Sequence, residues 1–229
     1  MAKNDLRLER EQRRREQNHA EILTAAEKIF GIKGYASASM DDIAREAQFS
    51  KATLYRYFHS KDQVFMEILY RIFSESLQNM IAIQERPWAA ERKLKEIIRT
   101  TMTFFDCKKN LIRVYFLERT SHQKIREMQV GGGPESAFER LGIPLSFRST
   151  MEESYNILCR IIQEGVESGE FRGIETQEAG AYLGALIRGM HFHGPLQEPD
   201  NNLAHNTDVL IDIFLNGIKS RETRQKGAS

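Results

Sequence analysis

Apolar residues recur at spacings of three and four along nearly the whole chain, and the strict alternation of a half-buried strand is absent. The pattern predicts an all-α protein. Its first clear stripe is Ile22, Ala25, Ala26, Ile29 and Phe30, one face of a helix, and Gly34 stands where a left-handed residue would end it. A shorter stripe, Met40, Ile43, Ala44 and Ala47, follows Ser39. Ser39 can cap the backbone of Asp42, and Asp41 and Asp42 fall in the first turn, where the helix dipole favours negative charge. After the turn Gln48-Phe49, Ser50 is the next cap and opens a short helix over residues 51–58. The quartet Ser60-Lys61-Asp62-Gln63 then reads as a capping box that starts a fourth helix.

Beyond that point the predicted helices lengthen to residues 61–84, 88–107 and 110–129, with a break at Arg86-Pro87 and a stop at the three glycines 131–133. Pro134 suits the first position of a short helix ended by Gly142, and Pro144 leads into a helix reaching about Ser168. Two more are expected at 176–193 and 203–219, joined by a linker containing Gly194-Pro195 and Pro199-Asp200. Residues 1–17 form a basic segment with nothing to bury, expected to be a flexible, frayed arm or an extension of the first helix. The predicted organisation is that arm, a three-helix unit at 18–60, a larger helical domain at 61–219 and a polar tail at 220–229.

Composition changes this picture little. The 229 residues are 41% hydrophobic and 28% charged, enough to build a core. Charge is uneven, however: residues 1–61 carry 12 Lys and Arg against 9 Asp and Glu, and the remainder carries 21 against 23. A front of about +3 and a rear of about −2 fit an anionic partner at the N-terminal end. No run approaches eighteen apolar residues and the N-terminus is charged throughout, so neither a membrane span nor a signal peptide is expected, and the expected location is cytoplasmic. Cys107 and Cys159 read as reduced thiols. His191 and His193, two apart on a helix, face different ways, so no metal site is expected. With no P-loop, nucleophile elbow or glycine-rich dinucleotide fingerprint, no catalytic residues, no cofactor and no enzyme activity are predicted.

Two short capped helices joined by a tight turn, with a longer amphipathic helix before them, meet the geometry of a DNA-reading helix-turn-helix. In residues 51–58, Leu54 and Phe58 face inward and leave Lys51, Thr53, Tyr55, Arg56 and Tyr57 on the exposed arc. That arc joins cations, hydroxyls and aromatics and carries no acid. Lys51, Thr53 and Arg56 are the candidate base readers, Arg56 through a bidentate contact with guanine. Ser39, Tyr55, Tyr57 and Lys61 are candidate backbone clamps, and the helix end capped by Ser50 points donors at a phosphate or base edge. The alternative for either tyrosine is that its ring packs against the rear domain.

Gly34-Tyr35, Ser39-Met40-Asp41-Asp42-Ile43-Ala44, Ser50-Lys51-Ala52-Thr53-Leu54-Tyr55-Arg56-Tyr57-Phe58 and Ser60-Lys61-Asp62 together resemble the TetR family of regulators. The resemblance covers about residues 22–65. It implies a homodimer on a palindromic double-stranded operator, usually as a repressor, and a small-molecule effector bound in the larger domain. One departure is Gln48, where the family often has glycine, and another is Phe49, where it often has valine. A left-handed Gln48 would be strained by on the order of 1 kcal/mol, and Phe49 could offset it by burying more area.

The resemblance also implies that the last two helices make the dimer contact. Small residues Ala179, Gly180, Ala181, Gly184, Ala185 and Gly189 lie among Leu183, Leu186, Ile187 and Met190, and the last helix carries Val209, Leu210, Ile213, Phe214 and Leu215. The same stripes could instead build an intramolecular core. For the effector pocket, Tyr115, Arg119 and His122 share one helical face, and Phe105, Tyr155 and Cys159 could be brought against it. Arginine near aromatics suits an anionic or polyphenolic effector. The alternative is a DNA-binding regulator controlled by a protein partner or by oxidation of Cys107 or Cys159.

Overall fold

The stripe from Ile22 to Phe30 is buried as its spacing requires, with Ile22 and Ala26 wholly inaccessible. A computed structural model describes residues 2–109, 111, 145–193 and 202–219. Among these run eight helices: α1 Ala2–Ser37, α2 Met40–Glu46, α3 Lys51–Tyr57, α4 Lys61–Gln84, α5 Ala90–Cys107, α6 Leu145–Glu167, α7 Thr176–His193 and α8 Leu203–Ile218. The described residues hold no strand, only an isolated antiparallel bridge between Phe171 and Lys219. The fold is therefore all-α, an N-terminal helix-turn-helix unit joined to a larger helical domain.

Helix α1 starts at Ala2, so the basic segment continues the helix rather than forming a frayed arm. Gly34, at φ 74° and ψ 162°, breaks the helical path near its end, because only glycine takes that backbone without a clash. Turn and caps follow the expected chemistry. Gln48 lies at φ 58°, a left-handed side-chain-bearing residue, while Phe49 is partly buried against the head's core. The fourth helix opens on Ser60, whose hydroxyl accepts from the Gln63 N–H, but the Gln63 side chain reaches back to the His59 N–H and not to the cap itself.

Helix α5 starts two residues later than the sequence pattern predicts. Trp88 stays outside it, its ring 4.2 Å from the Arg92 guanidinium and 5.9 Å from that of Arg86. The first N–H groups of α5 are instead satisfied by a distant carboxylate: Glu170 accepts from Ala90 and Glu91. Local sequence carries no sign of a cap supplied from eighty residues away.

Two apolar clusters organise the chain. One joins α1, α2 and α3 to the front of α4, from Val64 to Phe73, and takes in Leu111 and Phe147. The other joins the rear of α4 to α5, α6, α7 and α8. Helix α4 thus serves both, and the boundary expected at residue 60 separates elements rather than packing units. Gly180 of α7 lies against α6, where an added Cβ would come within 2.6 Å of the Cys159 sulfur. Leu183 and Ile187 face the core, whereas Tyr182, Leu186, Val209 and Ile213 are left open, Tyr182 and Ile213 by 65% and 63%.

Candidate nucleic-acid interface

Leu54 and Phe58 are fully buried and pin α3 to the head, which turns its remaining side chains outward. The N-terminus of α3 is held by Ser50, whose hydroxyl accepts from the Thr53 N–H at 3.1 Å and lies 2.8 Å from the Thr53 hydroxyl. The two hydroxyls are hydrogen-bonded to each other, and Thr53 keeps its methyl group and its remaining hydroxyl capacity for a base. Lys51 reaches across the turn to Asp41 of α2, 2.8 Å away, and that carboxylate raises the ammonium's pKa. Both partners are exposed, so a phosphate could compete for the lysine. Arg56 is exposed and has no hydrogen-bonding or ionic partner among the described residues. It is the free fork of the reading face.

The expected backbone clamps divide. Tyr55 is 40% exposed and remains available. Tyr57 is half-buried against the head's core, its hydroxyl accepting from the Asn18 side chain at 3.1 Å, so it ties α3 to α1. Ser39 is exposed, yet its hydroxyl donates to Asp42 at 2.7 Å and accepts from the Asp42 N–H, completing a capping box. Lys33 first, then Ser39, hold the Asp42 carboxyl at about 2, below its ordinary value.

Lys61 has a different task from the one its charge and position suggested. Its ammonium donates to the carbonyls of Tyr35 at 2.7 Å, Ala38 at 2.9 Å and Ala36 at 3.3 Å, and lies 4.4 Å from the centre of the Tyr35 ring. All three of its donors are directed at the chain leaving α1. It fastens α4 to the turn before α2.

Two side chains that sequence reasoning passed over, His19 and Glu27, organise the head's borders. His19 stacks on Phe58 with ring centres 4.8 Å apart and lies 2.9 Å from Glu67 of α4. Glu27 of α1 binds Arg71 of α4 at 2.5 Å and also Lys108 just past α5. Burial pushes the Glu27 carboxyl up, but the Lys108 and Arg71 contacts outweigh it and hold the group below its usual range. Glu27 lies on the helix face beside the apolar stripe, the only sign of its role in the sequence.

The sequence pattern described as bacterial regulatory proteins of the TetR family matches residues 22–68, the segment that holds α2, the left-handed turn and α3. The chain belongs to the TetR family. This TetR-family regulator is similar over most of its length to the fatty acid metabolism regulator protein of Bacillus subtilis strain 168, with 20% identity over 205 residues, 89% of this chain and 96% of that one. A solved TetR/AcrR-family regulator from Thermobifida fusca shares its fold at a TM-score of 0.68 and 22% identity, covering 88% of this chain and 98% of the other. The transcriptional regulator FadR from Bacillus subtilis, solved in complex with stearoyl-CoA, matches at a TM-score of 0.67 and 20% identity over 87% of this chain and 98% of that one. The TetR-family chain is accordingly a helix-turn-helix DNA-binding transcriptional regulator.

Of its expected effector residues, Phe105, Tyr155 and Cys159 lie among the described ones. Phe105 packs with Phe73, ring centres 5.2 Å apart, beside the head's core. Tyr155 and Cys159 lie on α6 facing α7, the tyrosine hydroxyl donating to the Gln177 carbonyl at 3.0 Å and the cysteine sulfur against Gly180. Both side chains thus take part in the packing of α6 on α7. Tyr115, Arg119 and His122 lie outside the described residues. Among the described residues no cluster of three or more His, Cys, Asp or Glu side chains could hold a metal ion, and no helix is long and apolar enough to cross a membrane.

Proposed function

We propose that this regulator is a homodimeric repressor that binds a palindromic operator through two copies of α3 and leaves it when a small molecule occupies the rear domain. The observation that carries this reading is the pairing of a free, outward Arg56 on α3 with an open apolar face at the opposite end. Tyr182 and Leu186 of α7 and Val209 and Ile213 of α8 are its exposed groups, and large apolar side chains left open to solvent mark an interface. Two chains joined there would hold two heads at a set separation and read half-sites about 10 bp apart or a multiple of that. The effector would act by changing that separation.

For the effector we take the anionic class, and within it a long-chain acyl-CoA. Full-length similarity to a fatty acid metabolism regulator and to a fold solved with stearoyl-CoA supports this choice. Glu27 offers a route for the signal, since it joins the head to α4 and to the end of α5.

The test is a gel shift of the full-length protein on the DNA upstream of its own gene, against a scrambled duplex of equal length. Preference for the upstream duplex, lost on adding stearoyl-CoA, is the expected outcome. No preference would remove the operator reading, and preference untouched by stearoyl-CoA would remove the effector. Arg56→Ala should weaken discrimination at one base position by about 1 to 3 kcal/mol; an even loss across operator variants would show that Arg56 contacts only the backbone.

A further inference from the structure

The apolar stripe of α1 does not end where the core ends. Continuing from Ile22 toward the N-terminus at the same spacing, it passes through His19, Arg15, Gln12 and Leu8. His19 covers Phe58 at the edge of the core, and Asn18 holds the Tyr57 hydroxyl. Beyond those contacts α1 runs on past α3 for about 25 Å at the helical rise. The two helices bound a cleft of about 1230 Å³, walled on one side by α1 from Leu8 to His19 and on the other by Thr53, Arg56 and Tyr57 of α3.

Three guanidinium groups line this cleft: Arg14 and Arg15 from α1 and Arg56 from α3. None of them has a protein partner among the described residues. The acids in the lining are Glu11, bound by Arg7 at 3.2 Å, and Glu16, which accepts from Gln12 at 3.2 Å. A helical extension of this length gains little from its own backbone without something to pack on, and here the face that should be buried is edged with free arginines. Leu8, 60% exposed, is the large apolar group at the mouth, too little for a protein-protein contact.

We infer that the cleft between the α1 extension and α3 seats the sugar-phosphate backbone of the same duplex that α3 reads, with Arg14 and Arg15 as phosphate ligands. The inference rests on the DNA-binding reading above. Because Arg56 and Thr53 belong to both surfaces, a strand in the cleft lies beside the groove that α3 enters. Phosphate contacts of this kind position the protein and raise affinity for any sequence alike.

The experiment compares the full-length protein with its Arg14→Ala/Arg15→Ala variant on operator and scrambled duplexes across a salt series, with hydroxyl-radical footprints of each complex. The expected result is ~10-fold weaker binding to both duplexes, a salt slope shallower by about 1.8 per head, and loss of backbone protection flanking each half-site. The Arg14→Lys/Arg15→Lys variant should keep the slope. Unchanged affinity and slope in the alanine variant would overturn the cleft assignment while leaving operator binding intact. A wild-type protein that binds no DNA would instead remove the DNA-binding reading itself. Altered self-association of the alanine variant without DNA, seen by sedimentation, would mean that a second copy fills the cleft, and would also overturn the assignment.

Discussion

In the head, α2 and α3 have seven residues each, too short to be stable alone, whereas α7 and α8 at the other end have eighteen and sixteen. The short helices are set by polar punctuation: Ser39, Ser50 and Ser60 cap three successive helices, and Lys33, Lys51 and Lys61 bind across the joints between them. The long helices rely on apolar faces, one turned to Leu183, Phe214 and their neighbours and the other left open at Tyr182 and Ile213. The difference fits the tasks proposed for the two ends. A reading head must hold a few side chains in fixed directions, which directional hydrogen bonds do well. A dimer contact needs area, which apolar side chains supply.

The largest expected effect breaks the open end. Ile213→Asp places a charge on the face of α8 without disturbing the protomer's core, because Ile213 is 63% exposed. The dimer dissociation constant read by sedimentation should rise about 100-fold or more, on the order of 3 kcal/mol, with little change in secondary structure. A variant that stays dimeric would place the interface elsewhere.

Lys61→Met tests the head. Losing three charge-assisted bonds to carbonyls should cost about 2 kcal/mol of unfolding free energy in urea melts, together with weaker DNA binding. If affinity fell while the melt did not move, the lysine would be a phosphate clamp after all.

A smaller effect of opposite sign is expected at the turn. Gln48→Gly relieves the left-handed backbone at φ 58° and should stabilise the protein by about 1 kcal/mol, read as a higher Tm with unchanged operator preference.

The smallest effect is an acid dependence of the head. The carboxyls of Asp42 and Glu27 sit below their ordinary values in the folded chain, Asp42 at about 2. Their contribution is therefore complete above the ordinary carboxylate range and is lost as pH falls through the depressed folded values, for Asp42 toward pH 2. Hydrogen exchange of α2 amides should accelerate over that window in the wild type and less so in Asp42→Asn.

The helix-turn-helix was legible because everything that defines it is local. Caps three residues from their targets, a turn between two stripes and a buried Leu54 and Phe58 are all readable from spacing. The site itself was legible only in part. Lys51, Thr53, Tyr55 and Arg56 do line the outer face of α3, but side-chain type could not separate a lysine aimed at phosphate from one aimed at the carbonyls of Tyr35, Ala36 and Ala38. In the rear domain, Tyr155 and Cys159 meet α7, and nothing in the local sequence tells a pocket wall from a packing surface.

What the sequence determined by itself was the helical class, the order and most of the bounds of the described helices, and the reading head with its strained Gln48. Periodicity, caps and turn conformation depend on neighbours within a few residues, so they are written in the chain. What only the tertiary structure decided was which partner each long polar side chain takes: Lys61 with the end of α1, Glu27 with Arg71 and Lys108, Glu170 with the start of α5. It also decided that α1 runs past α3 and leaves Arg14 and Arg15 facing an open cleft. A long charged side chain has no preference for one oxygen over another until the fold brings some within reach and carries the rest away.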